Sequence, residues 1–146
     1  MNTRPRPHFS ALPFLLLPII LHFVFPIQMI FVFPFTLIGL APVIVGLYIN
    51  LQATRTLMKK ENWEDRNPQI LVTEGAFRYS RNPMYLGAII VLFGLAILLG
   101  SLVSFSLPVI MFLRAHFLRI PHEEDQLKAI FGKEYLDYMK RVRRWI

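Results

Sequence analysis

Between Arg6 and Arg55 lie 48 residues without one Asp, Glu, Lys or Arg, and between Arg81 and Arg114 lie another 32. A soluble domain has to return polar positions to its surface far more often, whereas about 18 consecutive apolar residues suffice for one membrane-spanning helix. Composition agrees, with 55% of the 146 residues hydrophobic and 17% charged, against roughly 25% charged in an ordinary soluble domain. A soluble enzyme and a disordered tail are both excluded. The absence of cysteine removes disulfides, thiolate nucleophiles and Cys-ligated zinc.

A net charge of +7 raises nucleic acid as a partner, but the position of the charges accounts for them differently. Arg4 and Arg6 precede the first apolar block. Arg55, Lys59, Lys60, Arg66, Arg78 and Arg81 lie between the blocks, and Arg114, Arg119, Lys128, Lys133, Lys140, Arg141, Arg143 and Arg144 follow the second. If each block is a hairpin of two spans, every basic and every acidic residue falls on one face of the bilayer. The positive-inside rule makes that face cytoplasmic. The expectation is a multi-pass integral membrane protein, with the lipid bilayer rather than nucleic acid as its partner and with both termini and the functional residues on the cytoplasmic side.

The first block accommodates helices over about residues 10–31 and 35–58, joined near Pro26 to Pro34; a cleavable signal peptide fits poorly, because the apolar stretch is too long. Gly100 and Ser101 divide the second block into two legs of about 16 residues, short for spans unless they tilt little. In the hydrophilic loop, Gln69-Ile70-Leu71-Val72-Thr73 is β-branched and extended-looking between the turn signals Asn67-Pro68 and Glu74-Gly75. Asn82-Pro83 predicts a helix start, with Asn82 as N-cap and Pro83 at the first helical position. From Pro121 the chain reads as an amphipathic helix, acidic in its first turn and basic near its end, with a break at Gly132. The sum is an all-α membrane bundle of about four transmembrane helices plus a C-terminal amphipathic helix, in a single domain over residues 1–146. No small-xxx-small stripe along any span points to self-association.

Two clusters carry the chemistry. Gly75 to Gly87 contains Arg78, Tyr79, Arg81, Asn82, Pro83, Met84 and Tyr85 at a helix N-terminus, where free N–H groups favour a carboxylate or phosphate; the same residues also fit a plain capped helix with solvated arginines. Arg119-Ile120-Pro121-His122-Glu123-Glu124-Asp125 follows the last span, as dipole complements with a snorkelling Arg119 or as ligands. A hairpin of the last two spans brings both clusters to one membrane face, where a zwitterion fits between a helix N-terminus and a carboxylate. No pair of the histidines (His8, His22, His116, His122) has metal-ligand spacing, and no serine has an evident base partner. The basic tail, Lys140 to Trp145, is expected to rest on anionic lipid with Trp145 at the interface.

Leu71-Val72-Thr73-x-Gly75-x-Phe77-Arg78-Tyr79-x-Arg81-Asn82-Pro83-x-Tyr85-x-Gly87, followed by Glu123-Glu124-x-x-Leu127 and Phe131-Gly132-x-Glu134-Tyr135-x-x-Tyr138, closely resembles the isoprenylcysteine carboxyl methyltransferase family, within a wider group that includes phospholipid methyltransferases. The resemblance covers roughly residues 60–146. It implies an integral-membrane methyltransferase that uses S-adenosylmethionine, releases S-adenosylhomocysteine, and builds its cofactor site from the loop and tail. By this resemblance Gln69, Ile70, Leu71 and Val72 line the adenosine and Phe77 packs near the base. Asn82, Pro83, Met84 and Tyr85 hold the methionine half, Glu123 accepts hydrogen bonds from the cofactor, and Arg119 sits near the methyl acceptor; Arg119 and Glu123 are the catalytic candidates. Glu124 is a weaker candidate with a structural role as the alternative. Asn82 stands where the family usually has His, and Phe77 where many members have Tyr. Apolar spans suit a prenyl tail, a fatty amine or a phospholipid as hydrophobic acceptor equally well. An NADPH-dependent membrane lipid or steroid reductase and a non-catalytic membrane scaffold are the competing functions.

Overall fold

The computed structural model describes residues 16–17, 19–20, 23–24, 32–60 and 70–146, so most of the first expected span and Gln69 lie outside the described residues. Within that first span Leu16, Leu17, Ile19, Ile20, Phe23 and Val24 are helical and exposed. A 3₁₀ turn, Phe35–Gly39, leads into helix α1, Leu40–Lys60. Pro42 falls just after the 3₁₀ turn passes into the helix, and membrane helices accommodate proline more readily than soluble ones do. Helix α2, Pro83–Leu99, is apolar throughout and ends at Gly100, whose φ of 65° is left-handed and whose N–H reaches the carbonyls of Ala96 and Ile97. At 17 residues it is ~26 Å long, just under the ~30 Å hydrocarbon core.

The chain then reverses through Leu102–Phe105 into α3, Ser106–Arg114, passes a π turn at Ala115–Arg119, and continues as α4, Ile120–Phe131. Phe93 and Phe105 close the hairpin edge to face at 5.6 Å. Gly132 breaks the helix as expected, and α5, Lys133–Arg141, follows. The expected helix start at Pro121 is corrected: helical backbone runs unbroken from Leu102 to Phe131. A proline inside a regular helix removes a hydrogen bond and clashes with the carbonyl four residues back. The widened π turn directly before Pro121 relieves that conflict. It also sets the buried stripe of this long helix, which runs Leu107, Met111, Ala115, then Ile120 and Glu124, steps of four with a single step of five across the turn.

The sides of these helices away from one another are apolar and exposed: Ile44, Val45, Leu47 and Leu51 on α1, and Val109, Ile110 and Leu113 on α3. An apolar outer surface of this extent faces hydrocarbon. The chain is an all-helical integral membrane protein, with no strand among the described residues.

Lipid is as apolar as leucine, so helices in a bilayer associate through close packing rather than through a hydrophobic driving force. Here α1, with the 3₁₀ turn before it, runs antiparallel to α2 along glycines spaced seven apart: Gly39 at the end of the turn and Gly46 of α1 against Gly94 and Gly87. A Cβ on Gly46 would stand 2.5 Å from the Gly87 carbonyl oxygen, and one on Gly94 would stand 2.7 Å from that of Gly39. The small residues absent at a spacing of four are thus present at seven, and they serve an intramolecular seam. Gly46→Leu is expected to destabilise the protein by about 1–3 kcal/mol, the usual cost of overpacking, whereas Leu47→Ile on the exposed side changes little. Thermal unfolding in detergent measures both.

Candidate functional site

The loop from Ile70 to Asn82 would be an unsupported connection without the C-terminal residues that fold back onto it. Beyond α5 the backbone becomes extended at Val142. The Arg81 N–H donates to the Arg143 carbonyl at 3.1 Å, and the Asn82 Nδ2 donates to the Arg144 carbonyl at 3.1 Å. From α5 the Tyr138 hydroxyl donates to the Phe77 carbonyl at 2.6 Å. Asn82 is therefore not the side-chain N-cap that its position predicts: its backbone N–H donates to Ser80 Oγ at 3.1 Å while its amide is turned toward the tail.

One buried carboxylate joins these pieces. Glu124, 4% exposed on α4, receives Arg144 Nη2 at 2.7 Å and Nε at 3.2 Å, and Arg81 Nη2 at 3.2 Å. The tail therefore does not offer all of its residues to anionic lipid. Lys140, Arg141 and Arg143 stay exposed, but Arg144 turns inward and Trp145 Nε1 donates to His116 Nδ1 at 3.1 Å. Tyr135 lies against the same trio, and its hydroxyl is pushed up to about 12 by burial first and the Glu124 charge second. Burial and the neighbouring Tyr135 likewise raise Tyr138 above the ordinary phenol range.

The neighbouring Glu123 has the opposite setting. It accepts a hydrogen bond of 2.7 Å from the Tyr85 hydroxyl on α2, which ties the two clusters of the sequence together across 38 residues. Because the helix continues through Pro121, Glu123 and its acidic neighbours do not complement a free helix end. Behind the Tyr85–Glu123 contact lies a partly enclosed cavity of about 200 Å³. Ile70, Leu71, Val72 and Phe77 line it from the loop, Asn82, Pro83, Met84 and Tyr85 from the start of α2, and Glu123 from α4. Arg119 is not among its lining residues; it is exposed in the π turn, where its charge is felt at the Tyr85 hydroxyl. His122 is exposed and pairs with Gln126 at 3.0 Å.

Further wall residues are Leu57 of α1, Arg81, Glu124, Gln126, Leu127, Phe131, Tyr135 and Tyr138. Leu127, Phe131, Tyr135 and Tyr138 stand at the motif positions of the second cluster, so their spacing offered a signal; Leu57 offered none, since it reaches the site only through the glycine seam. Among the described residues no group of three His, Asp or Glu stands close enough to hold a metal ion. The cavity therefore offers aromatic and aliphatic walls, a carboxylate at one point and a guanidinium at another, which suits a partly flat organic molecule carrying charges of both signs.

A family model described as phospholipid methyltransferase matches residues 35–134. Protein-S-isoprenylcysteine O-methyltransferase B of Arabidopsis thaliana is 38% identical over 72 residues, covering 49% of this chain and 36% of that protein. The probable protein-S-isoprenylcysteine O-methyltransferase of Oryza sativa subsp. indica is 32% identical over 111 residues, covering 72% of this chain and 57% of that protein. The chain thus spans 36% and 57% of the lengths of these two relatives. In three dimensions it is similar to the eukaryotic intramembrane Ras methyltransferase, isoprenylcysteine carboxyl methyltransferase, with a TM-score of 0.71 and 25% identity over all of this chain and 53% of that one.

The two adjacent glutamates should respond differently to loss of charge. Glu124→Gln leaves two guanidiniums facing a neutral group and is expected to cost about 3–5 kcal/mol of stability, as when one partner of a buried ion pair is removed. Glu123→Gln, which loses one hydrogen bond to a phenol, is expected to cost about 1 kcal/mol. Thermal unfolding of the two variants side by side tests the assignment; equal losses would contradict it.

Proposed function

Because the chain belongs to the phospholipid methyltransferase family, we propose that it transfers the methyl group of S-adenosylmethionine to an apolar acceptor that arrives through the bilayer. The names of its relatives favour an isoprenylated cysteine carboxylate as that acceptor. One observation carries the proposal. Every described residue that the resemblance assigns to the cofactor, from Ile70 to Tyr85 and again Glu123, lines a single cavity, although the two stretches are far apart in sequence.

The walls fit the donor's parts. The rings of Phe77 and Phe131 with Leu71, Val72 and Leu127 suit a flat purine, and the Glu123 carboxylate suits an ammonium or sugar hydroxyl. Bound there, S-adenosylmethionine supplies a methyl group already activated on a sulfonium and leaves as S-adenosylhomocysteine. The remaining task for the protein is alignment, since holding donor and acceptor in line lowers the barrier by several kcal/mol. Tyr85, its hydroxyl bonded to Glu123, lines the cavity and feels the charge of the exposed Arg119. Arg119 orients and neutralises an acceptor carboxylate, which is ionised at neutral pH and requires no base to become a nucleophile. The distribution of basic residues supports a cytoplasmic position for this site and both termini, where a water-soluble donor would meet a lipid-borne acceptor.

Isothermal titration of the purified protein in detergent is expected to show saturable binding of S-adenosylhomocysteine and none of NADPH; the reverse would establish the reductase alternative. Labelled-methyl transfer to a panel of prenylated cysteines and lipid extracts should fall about tenfold or more in Glu123→Gln. Arg119→Ala should raise the acceptor KM while leaving S-adenosylhomocysteine affinity unchanged. A protein that binds the donor product but methylates nothing, and tolerates both substitutions, would be a scaffold.

A further inference from the structure

The Arg81 side chain is 9% exposed and lines the cavity, yet only its Nη2 has a carboxylate partner, Glu124. Its Nε and Nη1 are buried and have no hydrogen-bond partner; the Tyr135 hydroxyl beside the guanidinium is a neutral phenol and does not balance its charge. A guanidinium is always charged and carries five donors. Buried donors left unmade are costly, and for a charged group the penalty is larger still. The neighbourhood deepens the deficit. Glu124 is shared between Arg81 and Arg144, so the trio holds two cations and one anion and keeps an excess positive charge beside the cavity. The start of α2, whose Met84 and Tyr85 also line the cavity, adds the partial positive charge of a helix N-terminus. What is missing is an anion.

We propose that Arg81 is the anion-binding residue of this cavity and receives the α-carboxylate of the bound methyl donor. The inference rests on the methyl-donor function proposed above. It divides the ends of a zwitterionic ligand between two residues, the carboxylate at Arg81 and the ammonium or hydroxyl groups at Glu123. The anion belongs to the donor rather than to the acceptor because the Arg81 side chain is only 9% exposed, in the cavity wall, on a backbone tied to the returning tail. The exposed cation that an acceptor arriving from lipid would meet is Arg119.

The test compares S-adenosylhomocysteine with its decarboxylated analogue, which lacks only the carboxylate, by isothermal titration of the full chain in detergent. Wild-type protein is expected to bind S-adenosylhomocysteine about tenfold to a hundredfold more tightly than the analogue, the range of one charge-assisted hydrogen bond. In Arg81→Gln that preference should collapse to within about threefold, through weaker binding of S-adenosylhomocysteine and unchanged binding of the analogue. Arg144→Gln, which removes the other cation of the trio, should keep the preference even if its melting temperature falls. Equal affinities in the wild type, or a preference that survives in Arg81→Gln, would overturn the assignment while leaving the methyl-donor function standing. So would an Arg81→Gln variant altered only in acceptor KM, because the anion would then be the acceptor's. Should Arg81→Gln not fold, the wild-type ratio and the same ratio in Arg81→Lys, expected to lie between the two, decide the matter. Wild-type protein that binds neither ligand would remove the methyl-donor function and this inference together.

Discussion

A carboxylate withdrawn almost completely from water must be compensated where it sits, and Glu124 is compensated from two directions. Arg81 comes from the loop before α2 and Arg144 from the extended tail after α5, so one side chain of α4 holds three segments that have little other reason to meet. Buried ion pairs contribute modestly to net stability because desolvation offsets most of the attraction. Their geometric demand is strict, however, and here it defines the loop-and-tail half of the molecule. The backbone bonds from Arg81 and Asn82 to the carbonyls of Arg143 and Arg144 follow from that docking. The cavity wall on this side exists because the tail is held there.

The other wall depends on the glycine seam. Bringing α1 and α2 within backbone contact carries the end of α1 over the site, which is how Leu57 comes to line the cavity and how Asn50 Nδ2 reaches the Met84 carbonyl at 3.1 Å. Bulkier residues along the seam would move α1 outward and open the cavity toward lipid. The membrane part and the polar part are therefore one construction: packing of α1 against α2 sets the width of the cavity at their ends.

Much of this was legible in the sequence, and what was not has identifiable causes. Charge-free runs announced the spans, Gly100 and Gly132 announced the two breaks, and Asn82-Pro83 placed the start of α2. The basic cluster of the tail is visible in the sequence, but not that one member, Arg144, is claimed by a carboxylate 20 residues upstream. Asn82 was misread as a cap for a related reason: its amide is taken by the Arg144 carbonyl. The seam escaped notice because a heptad spacing of glycines on two separate helices has meaning only once they are paired. Arg81 was visible as a motif residue, but its two unpartnered donors are a property of the folded environment.

The π turn explains why two neighbouring glutamates came to differ. Successive residues on an α-helix point about 100° apart, so Glu123 and Glu124 cannot share a face, and the phase of the helix decides which one is buried. Continued at steps of four from Leu107, Met111 and Ala115, the inward stripe would have taken in Arg119 and then Glu123. That would bury an arginine at the membrane boundary and would commit Glu123 to the scaffold. The one extra residue in Ala115–Arg119 rotates the rest of the helix, and the stripe resumes at Ile120 and Glu124. Glu124 then meets Arg81 and Arg144, Glu123 turns to Tyr85 and the cavity, and Arg119 is released to the exposed side. Such insertions are uncommon and concentrate at functional sites. In this chain the reason is visible, since the long helix must present an apolar stripe to its neighbours in the bilayer and a differently phased polar edge to the cavity.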